Sequence, residues 1–167
     1  NLGDREASCA LAESALEKAR RLGWPRALGH ALSNFGRQLA DTGERERAVE
    51  VFLEAREVLA GQPRSRGFAI TSYYLGDAYL GLGRNEEALA NLQLAEERMR
   101  DLQALPEVSC LLAIQAQALS RLGRAGEALA RAEAALELAR RTGSRLWEAE
   151  ALRSLAEIHS TCLAGQA

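Results

Sequence analysis

The sequence is poor in the residues that build sheets and irregular structure. Proline occurs 3 times in 167 residues, and Phe, Tyr and Trp together make up 5%. Strands favour β-branched and aromatic side chains, so a sheet-based fold is excluded as the leading expectation. No run of 18 apolar residues exists, which excludes a helix that spans a membrane. Charge of one sign is also missing. Lys+Arg is 21 against Asp+Glu 23, a net charge of −2, which suits neither non-specific nucleic-acid binding nor attraction to an anionic membrane. The three cysteines, Cys9, Cys110 and Cys162, are an odd set with no close spacing. They make neither a full disulfide framework nor a CxxC zinc site, so reduced thiols in a cytoplasmic protein are expected. Lysine is nearly absent too: 20 of the 21 basic residues are Arg, and Lys18 is the exception. With the abundance of Ala and Gly, that bias points to a GC-rich coding source. The chain has no signal-like opening and no initiating Met, and it starts inside a helical pattern. It is therefore expected to be a piece of a longer protein.

What is present is helix-forming. Alanine (32) and leucine (28) supply 60 of the 167 residues, and they are the best helix formers. The sequence also repeats. At a shift of 40 residues Gly3, Gly43, Gly83 and Gly123 fall in register. Ser8, Ala48, Ala88 and Ala128 do the same, as do Ala15, Ala55, Ala95 and Ala135. Segments 81–100 and 121–140 match at 10 of 20 positions. Each unit divides into two amphipathic stretches. Leu75, Gly76, Tyr79 and Leu80 lie at helical spacing, then the turn Gly81-Leu82-Gly83, then a second stripe of Ala88, Leu89, Leu92 and Ala95. Small residues at Gly36, Gly76, Ala48, Ala88 and Ala128 let two helix axes approach closely, and a larger side chain there would cost about 1–3 kcal/mol of strain.

This pattern resembles the tetratricopeptide repeat, a helix–turn–helix unit of about 34 residues with a Leu-Gly pair, a Tyr, an Ala, a Phe and a second Ala in fixed slots. The copy beginning at Gly29 fills the family's slots with Leu32, Phe35, Gly36, Leu39, Ala48, Phe52 and Ala55. The next copy has Ser72, Leu75, Gly76, Tyr79, Ala88, Leu92 and Ala95. The third has Leu112, Gln115, Ala116, Leu119, Ala128, Ala132 and Ala135, and a closing half copy has Leu152, Leu155, Ala156 and His159. Ser72, Gln115 and His159 depart from apolar slots; His159 is expected as a half-buried stand-in for Tyr. The longer period is similar to the subtype in bacterial multidomain regulators and in Leu-Gly-Asn adaptors, and its extra residues are expected to lengthen both the helices and the inter-repeat linkers.

The resemblance implies an all-α, right-handed superhelical solenoid of antiparallel helix pairs forming one domain over 1–167. Helices are predicted over 4–21, 25–41, 44–60, 65–81, 85–101, 106–122, 125–141 and 145–162. Pro25 suits a helix start, and Ser65 can cap the helix that follows Pro63.

Catalytic motifs are missing: there is no P-loop, GxSxG, HExxH or Rossmann glycine pattern. His30 and His159 lie too far apart in the array to share a site. Cys110 has no His nearby to act as a base, and Glu86-Glu87 and Glu96-Glu97 read as solvated helix faces. The expectation is no enzyme, no cofactor and no metal.

In the resembled family the first helix of each unit lines a concave groove. The slots that face it hold His30, Ile70, Cys110 and Glu150; Ser33, Tyr73, Ala113 and Arg153; Asn34, Tyr74, Ile114 and Ser154; and Arg37, Asp77, Gln117 and Glu157. Ile70, Tyr73, Tyr74 and Ile114 would anchor a protein or peptide partner, with Asn34 and Arg37 as polar grips. Alternatively, the tyrosines pack between helices and Arg37 pairs with Asp77. The chaperone carboxylate clamp, which needs Lys, Asn and Arg in these slots, has Ser33, Arg37, Tyr74, Cys110 and Ile114 there, so chaperone tails are excluded as partners. The functional expectation is a non-catalytic interaction module of a larger cytoplasmic, bacterial regulatory protein. The rivals are a peptide-pheromone-type sensor and an oligomerisation scaffold. Self-association is expected through the terminal helices, where Leu11, Leu16, Leu152, Leu155 and Ile158 would lie on open flanks.

Overall fold

A computed structural model describes the backbone of residues 2–164 and the side chains of Ser8 and of residues 10–160. The described residues form eight α-helices: α1 (Leu2–Leu22), α2 (Pro25–Asp41), α3 (Arg45–Leu59), α4 (Arg66–Gly81), α5 (Asn85–Asp101), α6 (Leu105–Arg121), α7 (Ala125–Thr142) and α8 (Arg145–Ala164). Every boundary lies within two residues of the expected one.

The chain divides into two compact units, Asn1–Gly83 and Arg84–Ala167. In the first unit α1 packs on α2, α2 on α3, and α3 on α4, while α2 also meets α4. The second unit has the same plan: α5 on α6, α6 on α7, α7 on α8, and α6 against α8. In each unit, then, a helix packs on its successor, and alternate helices touch along one side.

Five turns close on glycines with positive φ: Gly23 (65°), Gly43 (94°), Gly83 (73°), Gly123 (73°) and Gly143 (68°). Gln103 adopts the same conformation at 56°. These positions recur every 20 residues, so both kinds of connection share one turn, and the repeat has a half-period that the 40-residue register conceals. The one missing member is position 63, where proline cannot reach positive φ, and there the connection lengthens to residues 60–65. Long inter-repeat linkers were the expectation; elsewhere the connections are only two or three residues, and the helices carry the extra length. At the longer connection Ser65 Oγ accepts from Phe68 N at 3.2 Å, the expected cap.

The small-residue slots are buried as expected: Ala48, Ala88, Ala128, Ala55, Ala95 and Ala135 are all 0% exposed. A Cβ at Gly36 would lie 2.6 Å from Phe52 Cε1, so α2 and α3 touch backbone against ring. One side chain, Leu59 of α3, fills the space beneath both Gly29 of α2 and Gly67 of α4. Ser33 Oγ and Thr71 Oγ1, both buried, sit 2.7 Å apart and set the level of α2 against α4. Each also reaches a carbonyl of its own helix, Gly29 O and Gly67 O, at 2.8 Å.

Several expectations need correction. Leu16 and Ile158 are buried and Leu155 is half-buried, so only Leu11 and Leu152 of the five flank residues are exposed. Their neighbours within each unit cover the rest. His159 is exposed, its Nδ1 2.8 Å from the Leu155 carbonyl oxygen. Glu96 does not face solvent. It is buried in the second unit, where Gln115 Nε2 and Arg131 Nη1 each donate to Oε2 at 3.0 Å and Arg100 Nε donates to Oε1 at 2.8 Å. This carboxylate joins α5, α6 and α7, and it explains the fully buried amide of Gln115 in an otherwise apolar slot. Glu97 is exposed, as expected. The side chains of Cys9 and Cys162 lie outside the described residues; Cys110 is a buried free thiol.

Candidate interaction face

The residues expected to line a binding face fall in both units. In the first unit α2 presents His30, Asn34 and Arg37 on one stripe, and α4 presents Ile70, Tyr73, Tyr74 and Asp77. Helical spacing generates each stripe, and the Ser33–Thr71 contact brings the two side by side. Ser33 itself is thereby removed from the face.

Along α2, His30 and Asn34 are exposed, and the His30 ring leans towards Gly67, where a Cβ would meet His30 Cε1 at 3.1 Å. Arg37 donates to Asp41 Oδ2 at 3.0 Å, a pair within its own helix. The alternative pairing of Arg37 with Asp77 is therefore not formed, because Asp41 lies one turn along the same helix and is nearer.

Along α4, Ile70, Tyr73 and Tyr74 are half-buried. The tyrosine rings stand 5.1 Å apart with a 42° tilt. Tyr74 also stacks on Phe52 of α3 at 5.7 Å and 22°, so part of its ring belongs to the packing between helices. Asp77 is exposed, yet the protein packed around it removes enough water to raise its carboxyl above the ordinary range. Arg45 opposes that rise and Asp41 adds to it.

The second unit is different. Ile114 and Cys110 are 8% and 6% exposed, so neither is the open anchor expected from its slot. Gln117 Nε2 lies 3.4 Å from both Glu150 Oε1 and Ser154 Oγ. Arg153 is already held by Glu150 and, at 2.7 Å, by Glu157, and these bonds raise its pKa, the Glu150 hydrogen bond most. Between α6 and α8 a cleft of about 190 Å³ is lined by Gln117, Ser120, Arg121, Ser154, Glu157 and Ile158. It is polar and internally paired. Among the described residues no group of three His, Cys, Asp or Glu side chains converges as metal ligands would, and no helix is long and apolar enough to cross a membrane.

The backbone resembles solved structures over almost its whole length. Nearly identical TPR-like repeats from Podosopora anserina superpose with a TM-score of 0.81 at 16% identity, covering 98% of this chain and 81% of that one. The fold is the TPR-like repeat fold. BtubC from P. vanneervenii gives a TM-score of 0.84 at 19% identity, covering 96% of this chain and 67% of its own. Aspartyl phosphate phosphatase F from Bacillus subtilis gives 0.81 at 16% identity, with 98% of this chain matching 44% of that protein. No family model and no curated protein matches the sequence. Identities this low carry the TPR-like architecture but no residue roles, so the face on α2 and α4 rests on its own geometry.

Sequence reasoning missed two groups of residues. The Glu96 network was signalled by Gln115, a polar residue in an apolar slot, 19 residues away in sequence. Trp24 was read only as punctuation before Pro25, yet it is 66% exposed.

Proposed function

We propose that this chain is a non-catalytic protein- or peptide-binding module of a larger cytoplasmic regulatory protein, of the longer-period bacterial type, and that it meets its partner through the α2–α4 face. The observation that supports this most is the combination on α4: half-exposed Ile70 and Tyr73 beside Asp77, a carboxylate that makes no hydrogen bond or ion pair among the described residues. Large rigid side chains with spare surface, next to an unsatisfied charge, are what a partner's apolar side chain and a cation or N–H group would complete. His30 and Asn34, exposed on the neighbouring stripe, supply further hydrogen bonding. Ile114, Gln117 and Arg153 contribute less, one being buried and two already bonded within their unit.

The test is Tyr73→Ala against Tyr74→Ala, each assayed by partner pull-down and thermal unfolding. Tyr73→Ala should lose about 2 kcal/mol or more of partner binding with little change in stability. Tyr74→Ala, stacked on Phe52, should lose stability by about 1–3 kcal/mol. A large stability loss for Tyr73→Ala with binding intact would remove the α2–α4 face as the site.

A further inference from the structure

A second cluster in the first unit, at the end of the α2–α4 face where Arg26 stands one turn before His30, has the makings of a docking site. It lies at the edge where α1 hands over to α2 and α3 to α4. Arg20 of α1 pairs with Glu54 of α3 at 3.0 Å, holding the C-terminal end of α1 against α3. Leu59 sits beneath the first turns of both α2 and α4, so the two connections emerge side by side. Arg26, on the first turn of α2, and Arg64, just ahead of α4, each lie three residues before one of the two glycines that share Leu59. Packed helix axes are about 8–10 Å apart, and the two arginines are taken to stand at roughly that separation.

Two properties of this edge suit it to a partner. It exposes large apolar side chains where a turn could have been polar: Trp24 is 66% exposed and Leu22 59%. It also carries exposed cations that pair with no carboxylate among the described residues, a property it shares with Arg45, Arg141 and Arg145. Arg20, Arg21, Arg37, Arg47, Arg84 and Arg124 each have a carboxylate partner. Arg26 and Arg64 are exposed and pair with no carboxylate among the described residues. Trp and Arg are the residues that most often dominate binding energy at protein interfaces.

We propose that this edge docks an acidic protein segment bearing one apolar side chain, the apolar group seated on Trp24 and Leu22 and two carboxylates on Arg26 and Arg64. An extended chain advances about 3.3 Å per residue, so carboxylates three residues apart match the spacing of the two arginines. Each guanidinium offers a planar fork that a carboxylate fills with two hydrogen bonds. Nucleic acid fits less well. Binding to it rests on neutralising many phosphates, whereas this edge has two free cations and interleaved acids at Glu17, Glu54 and Glu57. An anionic membrane fits less well too, since stable attachment needs a broader apolar face or a longer polybasic run than Leu22, Trp24 and two arginines provide.

The experiment pans a random peptide display library on the full chain. In parallel, a single-stranded 20-nucleotide RNA pool and phosphatidylserine–phosphatidylcholine vesicles are titrated. Recovered peptides should be acidic, with an apolar residue on the N- or C-terminal side of two acids spaced three apart. They should bind Trp24→Ala, Arg26→Ser and Arg64→Ser about tenfold more weakly or worse, with unchanged melting midpoints, because all three side chains are exposed. Binding should also weaken as salt rises. Retention of only neutral or basic peptides, equal binding by Arg64→Ser and the parent, no peptide retained, or tighter binding of RNA or vesicles than of the acidic peptides would each overturn the proposal.

Discussion

Under the proposed function, Asp77 is a carboxyl that serves binding at the expense of stability. Its pKa is raised by the desolvation of its surroundings, so the ionised form is worse off in the folded state than in the unfolded one. The associated stability is present in full below the unfolded carboxyl pKa, near pH 4, and is lost as pH rises through the elevated folded value. Asp77→Asn should therefore raise the melting midpoint at pH 7, with the gap closing as pH falls towards about 4. Under the proposed function the same change should weaken partner binding. Glycines give a sharper test of packing. Gly36→Ala should cost about 1–3 kcal/mol, because the buried Phe52 ring stands 2.6 Å from the new Cβ. Gly126→Ala, inside α7 with nothing within 4 Å, should stabilise by about 0.5–1 kcal/mol through helix propensity. Gln103→Gly should relieve the positive-φ strain at the one non-glycine turn and raise stability by up to about 1 kcal/mol. Urea titration of the four variants checks these signs. The slot of Gly36 was legible in the sequence as a small residue in register. The cost of filling it was not, since that depends on which ring lies opposite.

At the scale of the helix, regularity comes from a turn used six times and from small side chains at fixed intervals. An ion pair recurs in the same register at the start of the second helices: Glu44 with Arg47, Arg84 with Glu87, and Arg124 with Glu127, the first copy reversed in polarity. The Arg84 hydrogen bond holds Glu87 below the usual carboxylate range, and Arg124 does the same for Glu127. These pairs are exposed, and a solvated pair of this kind contributes little. Glu96 is different. It is shielded, and it receives hydrogen bonds from three side chains across α5, α6 and α7. Glu96→Ala should destabilise by about 1–3 kcal/mol, because the Gln115 amide then loses its acceptor in the core. The paired change Glu96→Leu with Gln115→Leu should recover most of that loss, since a well-packed apolar pair often matches a buried polar one. A double-mutant cycle followed by thermal unfolding decides it; independent, additive losses would show that the two residues do not act together. The sequence placed Gln115 in an apolar slot and left it unexplained, because its partner lies on another helix.

At the scale of the whole molecule, each helix leans mainly on its neighbours in sequence within its own unit, as in other repeat proteins, where stability is distributed unit by unit. Burial is uneven along the chain. Every residue from Val108 to Ala116 is buried, whereas α1 and α8 present Leu11, Leu146 and Leu152 to solvent. Amide hydrogen exchange should therefore be slowest in α6 and fastest in α1 and α8. Equal protection across all eight helices would contradict the idea of graded local stability.

The helices, their ends and the TPR-like fold were determined by the sequence, because composition, period and turn chemistry are local signals repeated often enough to agree with one another. The tertiary structure decided which side chains remain available to a partner. Ile114 and Tyr73 occupy neighbouring slots of the repeat, yet one is buried and the other half-exposed. Arg37 found its acid one turn away in its own helix, while Arg26 and Arg64 found none among the described residues. Exposure and pairing depend on what other helices bring to the same place, and a one-dimensional period does not carry that information.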